Sequence, residues 1–202
     1  MKKILIGTHN KGKLREISAL LSKKYIKISP ISLNIPSPNE TGKSFSSNSE
    51  LKANYFSKFV NFPVISDDSG LCIKSLNNKP GIYSARLAKK HGSFSKAINF
   101  ILKKMKKKKD RSATFVCSLT YKNKKKRPIT VVGKIKGKIS NKKIGVNGFG
   151  YDPIFIPKNL KITFGQMKRS KKMRMDHRFI AFKKLKKKLK LYKFIFICFI
   201  DF

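Results

Sequence analysis

Apolar residues recur along this chain in two periods, and together they predict strands alternating with helices. "KKILIGT" and "NFPVISDDSGL" are short continuous apolar runs that end in polar or small residues, as buried strands do. "SATFVCSLTYK" and "RPITVVGKIKGKI" are β-rich and flank the charged turn "NKKKR", which predicts a hairpin. Helical spacing places Leu14, Ile17 and Leu21 on one face of "KGKLREISALLSKKY", and Ile98, Ile101 and Leu102 on one face of "SFSKAINFILKKM". "NETGKSFSSNSELKANYFSKFV" turns from a polar loop into a helix with Phe45, Phe56 and Phe59 near one face. "PGIYSARLA" reads as a turn followed by a short helix or strand. The last helix begins after Asp176, a good N-cap, and carries Phe182, Leu185 and Leu189 in a stripe. The expected class is α/β, built around one sheet, with no internal repeat.

Composition narrows this picture. A chain of 202 residues, 40% of them hydrophobic, is long enough for one domain with a sizeable core. Cys72, Cys117 and Cys198 are an odd set with no close pair, which argues against a disulfide framework or a zinc site and for a reduced, cytoplasmic setting. The basic start is followed by too few apolar residues for a secretory signal, so none is expected. The apolar run "FIFICFI" is far shorter than the roughly 20 residues a helix needs to cross a bilayer, so no membrane partner is expected.

The formal charge is +40. Seven arginines stand against 42 lysines, and the excess falls in surface-like runs such as "KKMKKKKD" and "KKLKKKLKLYK". Nucleic-acid surfaces favour arginine interleaved with aromatics, because guanidinium groups grip phosphates and bases bidentately. The abundance of Lys, Asn, Ile, Phe and Tyr instead fits a drift toward A and T in the coding sequence. No specific nucleic-acid partner is expected, although such charge gives weak, salt-sensitive binding to any polyanion.

Only nine acidic residues occur, so their positions are informative. Glu40, Asp67, Asp68, Asp152 and Asp176 all lie in lysine-poor stretches beside Gly, Pro, Ser, Asn or His. Asp67 and Asp68 close the predicted strand "NFPVIS", and carboxylates at the C-terminal end of a strand lie at the usual crevice of an α/β sheet. As neighbours in extended chain they point to opposite faces, one free for structure and the other for chemistry. Glu40 and Asp68 together supply the oxygen ligands that Mg²⁺ takes alongside substrate phosphates and water. Thr8 to Lys13 form a strand-to-helix turn whose backbone N–H groups and positive helix end suit a phosphate, with side-chain donors on Thr8 and Asn10 and a charge on Lys13. Asn48 and Lys52 are a turn apart and face one neighbouring site. "GKS" at Gly42 to Ser44 is not a P-loop, because Ser37 stands where that motif requires its first glycine.

Six stretches in order, "THNKGK", "NETGKSF", "SDDSGL", "PGIYSAR", "GFGYDPIF" and "DHR", resemble the inosine triphosphate pyrophosphatase family, the noncanonical purine nucleoside triphosphate pyrophosphatases. The resemblance runs from about Met1 to about Leu189. It implies a long twisted mixed sheet flanked by helices, in two lobes with a central cleft, and a homodimer. It also implies Mg²⁺-dependent hydrolysis of ITP, dITP and XTP to the monophosphate and pyrophosphate. On this resemblance Thr8, His9, Asn10, Lys11, Gly12 and Lys13 hold the triphosphate, with Lys52 also on the substrate. Glu40 and Asp68 take the metal, and Asp68 is the general base. Ser69 touches substrate, and Phe149, Gly150, Tyr151, Asp152, Lys172, His177 and Arg178 surround the base. The chain departs from the family pattern at Asp176, usually Ser, and at Gln166 in "TFGQM", usually an acid. Residues 1–190 are read as the catalytic domain, and 191–202 as an apolar tail: an added strand, a dimer contact or a read-through extension.

Overall fold

The computed structural model describes residues 2–124 and 126–197, with side chains described as far as Leu191. The chain is α/β, with a mixed seven-stranded sheet in the order β2-β1-β3-β5-β6-β7 and β4 paired to β3. It divides into two compact units.

The first unit comprises the segment through Asp68, Ser118–Gly133 and the segment from Arg178. β1 (Lys2–Gly7) lies parallel to β2 (Tyr25–Ile28) and to β3 (Val64–Ile73). Both neighbours leave β1 central, so Ile4 to Gly7 are buried. α1 (Lys11–Leu20) and α2 (Phe45–Phe56) follow, and Leu5, Ile35, Phe56, Val60 and Val64 form the apolar core. The face that α2 buries is Asn48, Ser49, Lys52, Ala53 and Phe56. The expected Phe45, Phe56 and Phe59 face is therefore corrected: Phe45 is half-buried, and Phe59 lies beyond the helix, 51% exposed. Polar side chains hold this helix inward because each finds a partner there. α6 (His177–Ile197) buries Ala181 and Leu185. The tail expected to begin at residue 191 continues this helix as far as Ile197 rather than forming a strand; 198–202, with Cys198, lie outside the described residues.

The second unit comprises Ser69–Cys117 and Lys134–His177. It contains β4 (Lys79–Pro80), α3 (Ser84–Lys90), α4 (Phe94–Met105), β7 (Phe155–Pro157) and α5 (Arg169–Lys172). The strands β5 (Ser112–Lys122) and β6 (Ile129–Ile139) are the expected neighbours in the sheet. Ile98 and Ile101 of α4 pack with Leu71, Ile73, Phe115, Phe155 and Phe164. Arg111 stitches this unit by donating to three carbonyls, Ile139 at 2.7 Å, Ser140 at 2.6 Å and Met105 at 3.1 Å. An ammonium cannot reproduce that fork. Arg111→Lys is therefore expected to lower the unfolding free energy by about 1.5–3 kcal/mol in urea titrations.

Neither Cys72 nor Cys117 forms a disulfide with a described residue. Among the described residues no helix is long and apolar enough to cross a membrane.

Candidate active site

The acid pair does not end its strand as expected. β3 continues to Ile73, because both carboxylates are buried against partners and nothing forces the chain to turn. Asp67, fully buried, meets Lys13 Nζ of α1 at 3.1 Å and Arg178 Nε of α6 at 3.8 Å. Asp68, 3% exposed, accepts a 3.1 Å hydrogen bond from Asn48 Nδ2 of α2. The two neighbours thus engage different helices, as alternation along a strand requires.

Their surroundings push the two carboxyls apart. Burial alone would raise Asp67, but Lys13, Arg178 and Lys52 outweigh it and hold the group below the usual carboxylate range. Burial raises Asp68; Lys13 and Lys52 oppose the rise, and Glu40 adds to it. Two adjacent carboxylates with opposite shifts fit different tasks, one a fixed charge and the other a proton acceptor. Lys52 Nζ donates to Glu40 Oε1 at 2.7 Å. Burial disfavours its charge, yet Asp67, Glu40 and Asp68 together raise its pKa above the ordinary value.

The turn before α1 is held by its own side chains. Asn10 caps the helix by accepting from the N–H of Lys13 at 3.0 Å, and Thr8 Oγ1 accepts from the N–H of Asn10 at 3.2 Å. His9 Nε2 donates to the Ile35 carbonyl at 2.9 Å. Gly12 is buried and Lys11 is exposed. Lys13 is already engaged with Asp67.

Arg178, expected among the residues around the base, belongs to the first unit. It donates to Glu16 Oε2 at 2.7 Å and sits beside Asp67. Glu16 is the acid that reasoning from sequence overlooked. It sits next to Ile17 on the buried face of α1, and an acid beside an apolar stripe was the available signal.

The remaining residues gather in the second unit. Asp152, 2% exposed, accepts from the N–H of Phe149 at 2.8 Å and from Lys172 Nζ at 2.6 Å. Gly148, at φ +77°, lets the chain pass so close that an added Cβ would collide with the Asp152 carboxylate. Lys172 Nζ lies 5.2 Å from the Phe149 ring centroid and 5.5 Å from that of Phe164. Tyr151 donates to the Ser84 carbonyl at 2.8 Å, and burial raises its phenol well above the ordinary value. His177 stacks on Phe115 with centroids 4.8 Å apart and planes 8° apart, a partner the sequence reading did not name. Gly150, at φ +65°, and half-buried Ser69 belong to this unit as well. Asp176 directly precedes α6 and is buried. Gln166, the other departure, completes a capping box with Thr163.

Comparison with known proteins places the chain in a family. Residues 4–188 match the model of the Ham1 family. The chain belongs to the Ham1 family. A dITP/XTP pyrophosphatase of Dictyoglomus thermophilum is 42% identical over 189 residues, covering 91% of this chain and 92% of that protein. One of Wigglesworthia glossinidia brevipalpis is 43% identical over 200 residues, covering 96% and 100%. The solved Ham1 protein of Staphylococcus aureus superposes with a TM-score of 0.83 at 35% identity, covering 94% of this chain and 98% of that one. The Ham1 protein of Coxiella burnetii gives 0.84 at 32% identity, covering 94% and 99%.

Proposed function

We propose that this Ham1 protein hydrolyses noncanonical purine nucleoside triphosphates, dITP, ITP and XTP, to the monophosphate and pyrophosphate. The observation that carries the reading is Asp68, a buried carboxylate raised above its usual range and aimed by Asn48, in a chain similar to proteins named dITP/XTP pyrophosphatase. Water forms a bond to the α-phosphorus while the bridging P–O bond breaks, and its electron pair leaves with pyrophosphate. Asp68 orients the water and accepts its proton; a raised carboxyl is the better acceptor. Thr8 to Lys13 bind the polyphosphate, with Lys52 beside them. Phe149 to Asp152, Lys172 and His177 bind the base, Ser69 touches the substrate, and Arg178 shares Asp67 with Lys13.

The residues present fit Mg²⁺. Burial raises the Asp68 carboxyl and the nearby Glu40 charge adds to that rise, a repulsion that a divalent cation between the two would offset. No group of three or more His, Cys, Asp or Glu that could hold a metal occurs among the described residues, and Mg²⁺ asks for none, taking one or two carboxylates with phosphates and water. When bound there it neutralises charge on the triphosphate and leaving group. The reading further assigns a homodimer, a cytoplasmic location, and activity to residues 1–190, leaving 191–202 without a role.

The test is a panel of dITP, ITP, XTP, GTP and ATP with the purified chain, pyrophosphate and orthophosphate being measured separately. The expected result is the monophosphate and pyrophosphate from the first three, far less from ATP, and loss of turnover on chelation that added Mg²⁺ restores. Stepwise release of orthophosphate would instead identify a general phosphatase.

A further inference from the structure

The two carboxylates proposed as metal ligands come from different pieces of chain. Glu40 sits in the loop before α2, and Asp68 sits in β3. Asn48 touches both pieces. Asn48, fully buried on α2, accepts a 2.8 Å hydrogen bond at Oδ1 from the N–H of Gly42, two residues past Glu40, and donates from Nδ2 to Asp68 Oδ2 at 3.1 Å. A planar amide offers an acceptor and a donor at once. A carboxylate at this position would accept from Gly42 but repel Asp68, and a hydroxyl would be too short to span both.

Three further observations show that this amide is held still. A Cβ on Gly42 would come within 2.5 Å of Asn48 Oδ1, so the loop passes the amide at a distance only glycine permits. The Ser44–Ser47 capping box fixes the start of α2, and the N–H of Asn48 donates to the Ser44 carbonyl at 3.0 Å. Ser49, the next residue, lies 2.8 Å from the hydroxyls of both Ser118 and Thr120, so directional bonds join the buried Ala53 and Phe56 in setting the rotation of the helix. Lys52, one turn on, ties Glu40 itself to the same helix.

We infer that Asn48 is a positioning residue that fixes the Glu40 loop relative to Asp68, presetting the carboxylate pair before nucleotide arrives. The inference rests on the proposed roles of Glu40 and Asp68. Asn48→Ala removes both contacts; Asn48→Asp keeps the acceptor for Gly42 but sets a charge against Asp68. Amide hydrogen exchange at Gly42 and steady-state kinetics on dITP read the two arms separately.

In Asn48→Ala, Gly42 exchange is expected to quicken by about tenfold or more, and kcat to fall about 10–100-fold with little change in KM. In Asn48→Asp, exchange at Gly42 is expected to stay near that of the parent while kcat still falls by a similar factor. Should Asn48→Ala not fold, Asn48→Asp decides by the same two measurements. Exchange and kcat both within about twofold of the parent in a folded variant, or a loss confined to KM, would overturn the inference. A parent without dITP hydrolysis would sink the functional reading instead, and Gly42 exchange would still test whether Asn48 ties the loop.

Discussion

Asp68→Asn is expected to lower kcat for dITP hydrolysis by about 10²–10⁴-fold, the range that a lost general base commands. The change removes the proton acceptor and a negative charge from the proposed metal pair, yet leaves a side chain of the same shape beside Asn48. Stability should therefore move by less than about 1 kcal/mol. Asp67→Asn provides the contrast. That carboxylate balances Lys13 and Arg178 in a fully buried position, and losing one member of such a group costs about 3–5 kcal/mol. Melting temperatures and dITP kinetics on the two variants check both halves. If Asp68→Asn proved the unstable variant and Asp67→Asn the inactive one, the division of labour along β3 would be the reverse of the one drawn here.

The second large effect concerns the pair in the other unit. Lys172→Met keeps an unbranched stem but takes the ammonium from a carboxylate that it meets at 2.6 Å with both side chains only 2% exposed. Unfolding free energy is expected to fall by about 3–5 kcal/mol, because a charge left without its buried counter-ion cannot recover its hydration. Adding Asp152→Asn to Lys172→Met should restore at least about half of that loss, since the double variant no longer buries a lone charge. Urea denaturation of the two singles and the double supplies the cycle. A single-variant loss under about 1 kcal/mol would mean that water reaches the carboxylate once Lys172 is gone.

These expectations rest on features unequally visible in the sequence. The β-rich composition that marked β5 and β6 and the 3.6-residue spacing of Ile98 and Ile101 were legible because each is a local property of the chain. β2 has only the short pattern "YIKI" with its middle residues exposed, which carries little period to read. "SDDSG" looked like a strand ending, because local polarity cannot reveal that Lys13 and Arg178 wait on other helices. Phe59 misled for the converse reason: an aromatic at helical spacing says nothing about where its helix stops. Among the candidate residues, motif order pointed to Arg178 but not to its partner. Its guanidinium pairs with Glu16, 162 positions away, and no local pattern encodes such a contact.

The arginines add a different kind of legibility. In a chain whose surface has filled with lysine, an arginine codon drifts readily to a lysine codon, and most exposed positions lose nothing by the change. Arg111 spans three carbonyls, and Arg178 spans two carboxylates. Neither set of acceptors can be satisfied from a single ammonium nitrogen. At these two positions arginine thus marks geometry rather than charge, one rigid plane meeting several buried acceptors. Arg15, Arg86, Arg127, Arg169 and Arg174 are exposed, so the scarcity of arginine alone does not lead a reader of the sequence to the interior.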